Sequence, residues 1–166
     1  MNKPAFKTES RAGKDFENLM RPILESVGAL SIDGKMRKKP IGIQYKASLN
    51  YIPMLENFKQ DCWLDFVIET LQGPIFIDCK STAITHKDIT NILVKAMAYK
   101  SKFPNCKIVL IYNELKKSDR REKNKLLNSG LIDNIYENGN GIKNNPTIIL
   151  EGKELNNKNK NNFWGV

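Results

Sequence analysis

Histidine is nearly missing from this chain, with His86 the only one. Cysteine is scarce as well. Cys62, Cys79 and Cys106 are an odd set without CxxC spacing, which argues against a zinc site or a disulfide framework and suits a reducing cytoplasm. No stretch approaches the roughly 20 apolar residues of a membrane span. The start, Met1-Asn2-Lys3-Pro4-Ala5-Phe6, lacks the apolar core of a secretory signal. The expectation is a cytoplasmic protein with no membrane segment. His86 reads as the start of a helix rather than as a general base. The chain does hold ordinary apolar content, 40% over 166 residues, enough for one domain with a real core. That domain is expected over residues 1–150, followed by a flexible polar tail at 151–166 whose run Asn156-Asn157-Lys158-Asn159-Lys160-Asn161-Asn162 has nothing to bury.

Charge is the second large feature. The net charge is +9, and the tail contributes only +1 of it, so the body is strongly basic. Lys35 to Lys46 holds five basic residues and no acid, and Lys116 to Lys125 holds six basic residues and two acids. Clustered positive charge implies a polyanionic partner with salt-sensitive phosphate contacts. A solubilising surface is the alternative. Lys35, Arg37, Lys38 and Lys39 are spaced to follow successive phosphates of a nucleic acid, contacts that position it without reading its sequence.

Apolar periodicity predicts a helix from Gly13 to about Val27, carried by Phe16, Leu19, Met20, Ile23, Leu24 and Val27, with Pro22 as an interior irregularity. Residues 1–10 read as a mobile arm. A strand, a basic turn near Asp33-Gly34 and an extended piece from Ile41 to Tyr45 follow. Residues 47–60 fit no single element, and Tyr51, Ile52, Met54, Leu55 and Phe58 suit a covering face or a partner chain. A second helix is predicted over Lys87–Lys102, with Met97 in its core face. A strand at Lys107–Tyr112, a helix at Ser118–Asn128 closed by Gly130, a strand at Leu131–Tyr136 and an edge strand at Pro146–Leu150 complete the chain. This order points to an α/β fold, a mixed central sheet flanked by helices.

The chemistry concentrates between these elements. Leu64-Asp65-Phe66-Val67-Ile68-Glu69 and Ile75-Phe76-Ile77-Asp78-Cys79-Lys80 read as a hairpin turning at Gln72-Gly73-Pro74. Side chains alternate along a strand, so Asp78 and Lys80 point the same way, and Asp65 on the partner strand can reach them. Charged groups are costly to bury in strands this apolar. Two acids and a lysine converging there suggest a divalent-metal site for phosphate chemistry. Glu17, directly after Phe16, adds a third acid at the edge of the first helix. The duller reading makes Asp65 and Asp78 strand-end residues in water, Lys80 a surface lysine and Glu17 an ordinary helix glutamate.

An acid on the first helix, then Asp65, then Asp78-Cys79-Lys80, resembles the PD-(D/E)XK nuclease superfamily over about residues 11–112. A narrower resemblance is to the RecU-type Holliday junction resolvases. Arg11-Ala12-Gly13-Lys14-Asp15-Phe16-Glu17 is similar to their amino-terminal Arg-Gly stretch, Lys38-Lys39-Pro40 with Gln44 to their Lys-Lys-Pro segment, and Phe58-Lys59-Gln60 to the segment leading into their first metal-binding Asp. The thirteen residues from Asp65 to Asp78 and fifteen to Lys80 fit that family's spacing. Position 78 is Asp where that family usually has Glu, and the stretch between Pro40 and Asp65 is short for a projecting stalk.

The resemblance implies a restriction-endonuclease-like sheet and a Mg²⁺-dependent endonuclease, with Mn²⁺ as a substitute. Asp65, Asp78 and the Cys79 carbonyl would hold the cation, with Glu17 on a second metal or its water. Lys80 would orient the attacking water or steady the phosphate. The implied substrate is branched DNA in recombination and repair, cut symmetrically by a homodimer, with 47–58 as a candidate interface. Size and composition suit a phage or mobile-element protein. A restriction or homing endonuclease and a non-catalytic DNA-binding module are the competing expectations.

Overall fold

A computed structural model describes residues 5–32, 43–81, 83–137 and 141–152. The first element is helix α1 (Ala5–Glu25). It begins earlier than its apolar stripe predicts, so residues 5–10 are helical and not an arm. Phe16, Met20 and Leu24, four residues apart, supply its buried face. Pro22 is tolerated because it lies on the exposed side, and its carbonyl still accepts from the Ser26 amide at 3.1 Å. The helix closes with the Ala29 amide on the Leu24 carbonyl and the Gly28 amide on the Glu25 carbonyl. Gly28 takes the left-handed conformation, φ +92°, that this closure requires.

Strand β1 (Leu30–Ser31) follows, and the expected turn at Asp33-Gly34 lies outside the described residues. Residues Ile43–Tyr45, expected to be extended, form a 3-10 turn. Strands β2 (Ala47–Ser48) and β3 (Asp61–Cys62) make a separate two-stranded ribbon around the turn Leu49–Tyr51. Strand β4 (Phe66–Thr70) starts later than expected, and β5 (Gly73–Lys80) starts earlier, so the hairpin turns at Leu71-Gln72. Gly73 is needed there: its φ is +123°, and a Cβ would stand 2.6 Å from the Asn105 carbonyl oxygen. Helix α2 (His86–Lys102) begins at a Thr85–Asp88 capping box, which places His86 at the helix start as expected. Strand β6 (Lys107–Tyr112) occupies its predicted range. A 3-10 turn at Lys117–Asp119 leads into α3 (Arg120–Asn128), and Gly130 follows at φ +77°. Strand β7 (Asn134–Glu137) is shifted from its expected range.

The last element, α4 (Ile148–Glu151), is a helix where an edge strand was expected. Pro146 suits a helix start as well as an edge, and Ile148 and Ile149 bury themselves either way. Gly152, φ +63°, closes it. The helix extends to Glu151, and residues 153–166 of the expected tail lie outside the described residues.

The main sheet has the order β1-β4-β5-β6-β7. β4 runs antiparallel to β1 and β5, whereas β5, β6 and β7 are parallel. The fold is therefore a mixed five-stranded sheet with helices. Phe66, Ile68, Ile75, Ile77, Val109 and Ile111 pack with α1 and α4. The alternate positions, Val67, Phe76, Ile108 and Leu110, pack with Ile92, Ala96 and Tyr99 of α2 and Leu126 of α3. Both faces of β5 are covered, which explains its continuous apolar run. Met97 is 40% exposed, contrary to the expected packing, and Tyr99 fills that part of the core.

Candidate active site

The site forms where β4 and β5 separate. Their register ends with Phe66 opposite Ile77. One residue earlier, the Asp65 amide donates to the Ile77 carbonyl at 3.0 Å, and the Asp65 carbonyl accepts from Ile32 at 2.9 Å. The Cys79 amide lies beyond the last paired residue and has no strand carbonyl from β4. The Asp65 carboxylate meets it, Oδ2 accepting at 2.8 Å. A buried backbone donor must find a partner, and here a side chain replaces the missing strand. Asp65 is therefore fixed over the carboxyl end of β5.

Alternation places Phe76, Asp78 and Lys80 on the α2 side of the sheet. Asp78 is 4% exposed, a buried carboxylate in an apolar strand. Lys80 Nζ stands 3.2 Å from Asp78 Oδ2. The approach is an ion pair without hydrogen-bond alignment, and Asp78 Oδ2 is left buried with no hydrogen bond. The three residues expected to converge, Asp65, Asp78 and Lys80, do converge.

The electrostatics follow from this crowding. Burial pushes the Asp65 carboxyl well above its ordinary range. Asp78 pushes it further, as a like charge and as an acceptor of its proton, and the charge of Glu17 adds to this. The hydrogen bond from Cys79 opposes the shift. Asp78 raises the Lys80 ammonium above its usual value, against the cost of burial, so Lys80 is a cation throughout the neutral range. Burial, reinforced by Asp65, Asp78 and Glu17, holds the Cys79 thiol well up. That thiol packs into the α1-side core and is no nucleophile. This agrees with the expectation that Cys79 is a small packed residue.

Glu17 arrives differently. It projects from α1, on the other side of the sheet, and its carboxylate pairs with Arg21 at 3.3 Å. Its charge contributes to the raised pKa values of Asp65 and Cys79, after burial and the neighbouring aspartates. Arg21 was not foreseen. Its guanidinium lies 5.3 Å from the centre of the Phe66 ring, and the acid–base spacing of four along a helix was the available signal. Tyr99 was also missed as a site support: its hydroxyl accepts from the Leu64 amide at 3.1 Å, one residue before Asp65. Lys35, Arg37, Lys38 and Lys39 lie outside the described residues.

Among the described residues, no group of three or more histidine, cysteine, aspartate or glutamate side chains is gathered to hold a metal ion. The donor set at the strand end is smaller: two carboxylates that repel each other, one with a buried oxygen lacking a hydrogen bond, beside a backbone carbonyl. Hard oxygen donors of this kind fit Mg²⁺, which is held through one or two carboxylates and keeps open positions for water and phosphate. Comparison of the chain with known protein families, curated proteins and solved structures finds no match.

Proposed function

We propose that this protein is a Mg²⁺-dependent endonuclease of the PD-(D/E)XK kind, resolving four-way DNA junctions in the cytoplasm by phosphodiester hydrolysis. The observation that carries the reading is the Asp65 carboxylate on the Cys79 amide, set beside the buried Asp78–Lys80 pair. Acids drawn together at a strand end, against their own repulsion, are what a cation site requires. The mixed sheet with β5 at its centre supports the corresponding restriction-endonuclease-like core.

In this reading Asp65, Asp78 and the Cys79 carbonyl hold Mg²⁺, or Mn²⁺ in its place. A cation held by these groups would supply relief of charge on the leaving oxygen and a more acidic water for the attack. Lys80 presents its ammonium to the scissile phosphate, where it steadies charge or orients the attacking water. Asp78 keeps that ammonium in place. Glu17, steered by Arg21, supplies further negative charge at the rim.

Two symmetric cuts need two sites, which favours a homodimer. Tyr51, Met54 and Phe58 are 42%, 93% and 57% exposed, and this apolar group in 47–58 supports that segment as the dimer face. The test is incubation of labelled four-way junction, flap and linear duplex with and without Mg²⁺. Symmetric nicks in the junction are expected. Asp78→Ala and Lys80→Ala are expected to abolish cleavage while DNA binding survives, and normal cutting by both variants refutes the assignment. Cleavage of plain duplex at one sequence, indifferent to branching, would favour a restriction or homing endonuclease.

A further inference from the structure

We infer that the segment Lys116–Lys125 is a phosphate-binding surface that holds the nucleic-acid backbone beside the β5 strand end. The inference rests on the nuclease reading for the identity of its partner, and on separate observations for its place and sign.

Both acids of this segment are turned to structural use. Asp119 is 5% exposed, and its carboxylate accepts from the Ile84 amide at 3.2 Å and the Lys116 amide at 2.9 Å. Glu122 is paired with Lys125 at 3.3 Å, with Oε2 buried. What faces outward is therefore cationic. Lys116, Lys117 and Arg121 are exposed, Lys123 is half-buried, and none of these four has an ion pair among the described residues.

The segment is also tied to the site. The Asn113 amide donates to the Lys80 carbonyl at 3.0 Å, so the chain leaves β6 from beside Lys80. The Asp119–Ile84 hydrogen bond fastens the other end to the stretch that follows β5. The register pairs Lys80 with Tyr112, the last residue of β6. The carboxyl ends of β5, β6 and β7 lie together along one edge, the usual ligand side of parallel strands. A polyanion held by Lys116, Lys117, Arg121 and Lys123 would run along that edge. The basic residues offset the repulsion that Asp65, Asp78 and Glu17 exert on a phosphate.

The test is fluorescence anisotropy of a labelled four-way junction and its duplex arms in EDTA, across a salt series, using the full chain. On duplex DNA the slope of log Kd against log salt is expected to fall by about 0.9 per contact removed, so by about 2–4 in K116A/K117A/R121A/K123A. The charge-preserving K116R/K117R/K123R should keep the wild-type slope. An unchanged slope in the alanine set, with a wild-type melting curve, overturns the inference. Should the alanine set melt early, K117E/R121E decides: weaker binding than wild type supports the surface, equal binding removes it. Wild-type protein that binds through these residues but never cleaves with Mg²⁺ refutes the nuclease reading and leaves this surface standing. Cleavage with a slope untouched by the substitutions refutes the surface alone. Absence of any DNA binding removes both.

Discussion

Lys80→Met probes the site without relying on catalysis. The Asp78 side chain is 5% exposed, and its Oδ2 lies 3.2 Å from the ammonium of Lys80, whose side chain is 30% exposed. At 3.2 Å and an effective dielectric of about 20, the attraction is about 5 kcal/mol. Methionine keeps the aliphatic stem and removes the charge, so a buried carboxylate loses its cation. Breaking a fully buried pair from one side costs about 3–5 kcal/mol, and partial wetting of Lys80 reduces this to about 1–3 kcal/mol. For a chain of this size the expected fall in Tm is about 2–12 °C. The assay is thermal and urea unfolding followed by circular dichroism, in EDTA at neutral pH. Asp78 raises the Lys80 pKa above its ordinary 10.5, so the pair's contribution is complete below that value and lost only as pH rises through the folded-state value. D78N/K80M should recover most of the loss, because position 78 then holds no buried charge deprived of its cation. Mg²⁺ should narrow the gap between K80M and wild type by restoring positive charge beside Asp78. K80M as stable as wild type in EDTA, or a double variant that is simply additive, would refute the reasoning.

Asp65→Asn keeps an acceptor for the Cys79 amide and removes a carboxyl whose folded-state pKa is raised; the wild-type penalty is absent at low pH and grows as pH rises above the ordinary 3.8. In cation-free buffer the variant should therefore have a higher urea midpoint than wild type at neutral pH, with the difference closing near pH 4. Tyr99→Phe leaves the buried Leu64 amide without its acceptor and should cost about 1–3 kcal/mol, read from urea unfolding, with a matching loss of cleavage because Leu64 leads into Asp65. Replacing Lys35, Arg37, Lys38 and Lys39 together with alanine should flatten the salt dependence of DNA binding, and an unchanged slope would remove that segment from the interface.

The parts of the fold that could be read from the residues were those with one dominant pattern. Ile108–Tyr112 is an unbroken apolar run between breakers, and the strand Lys107–Tyr112 adds only the lysine before it. Phe16, Met20 and Leu24 mark α1 by spacing alone, but in residues 5–10 only the adjacent Ala5 and Phe6 are apolar, and two neighbours set no helical period. Ile148-Ile149-Leu150 is too short for periodicity to separate helix from strand, and the left-handed Gly152 settles it as a helix. Met97 and Tyr99 differ by two positions on one helix, and tertiary packing chose the ring that also accepts from Leu64.

At the site, strict alternation made the Asp78–Lys80 pairing legible, and hairpin geometry did the same for Asp65. The hydrogen bond from the Cys79 amide to Asp65 was not legible, because it depends on where β4 leaves β5. The inward turn of Asp119 and Glu122 was equally hidden: a count of charges in Lys116–Lys125 cannot say which of them face water.

The central claim is that Asp65 and Asp78 form a divalent-cation site. Isothermal titration of the metal-free protein with Mn²⁺ measures this directly. Saturable binding is predicted for the wild type, with its loss in Asp65→Asn and in Asp78→Ala. Wild-type protein that takes up no Mn²⁺, or variants that bind it as the wild type does, would contradict the account.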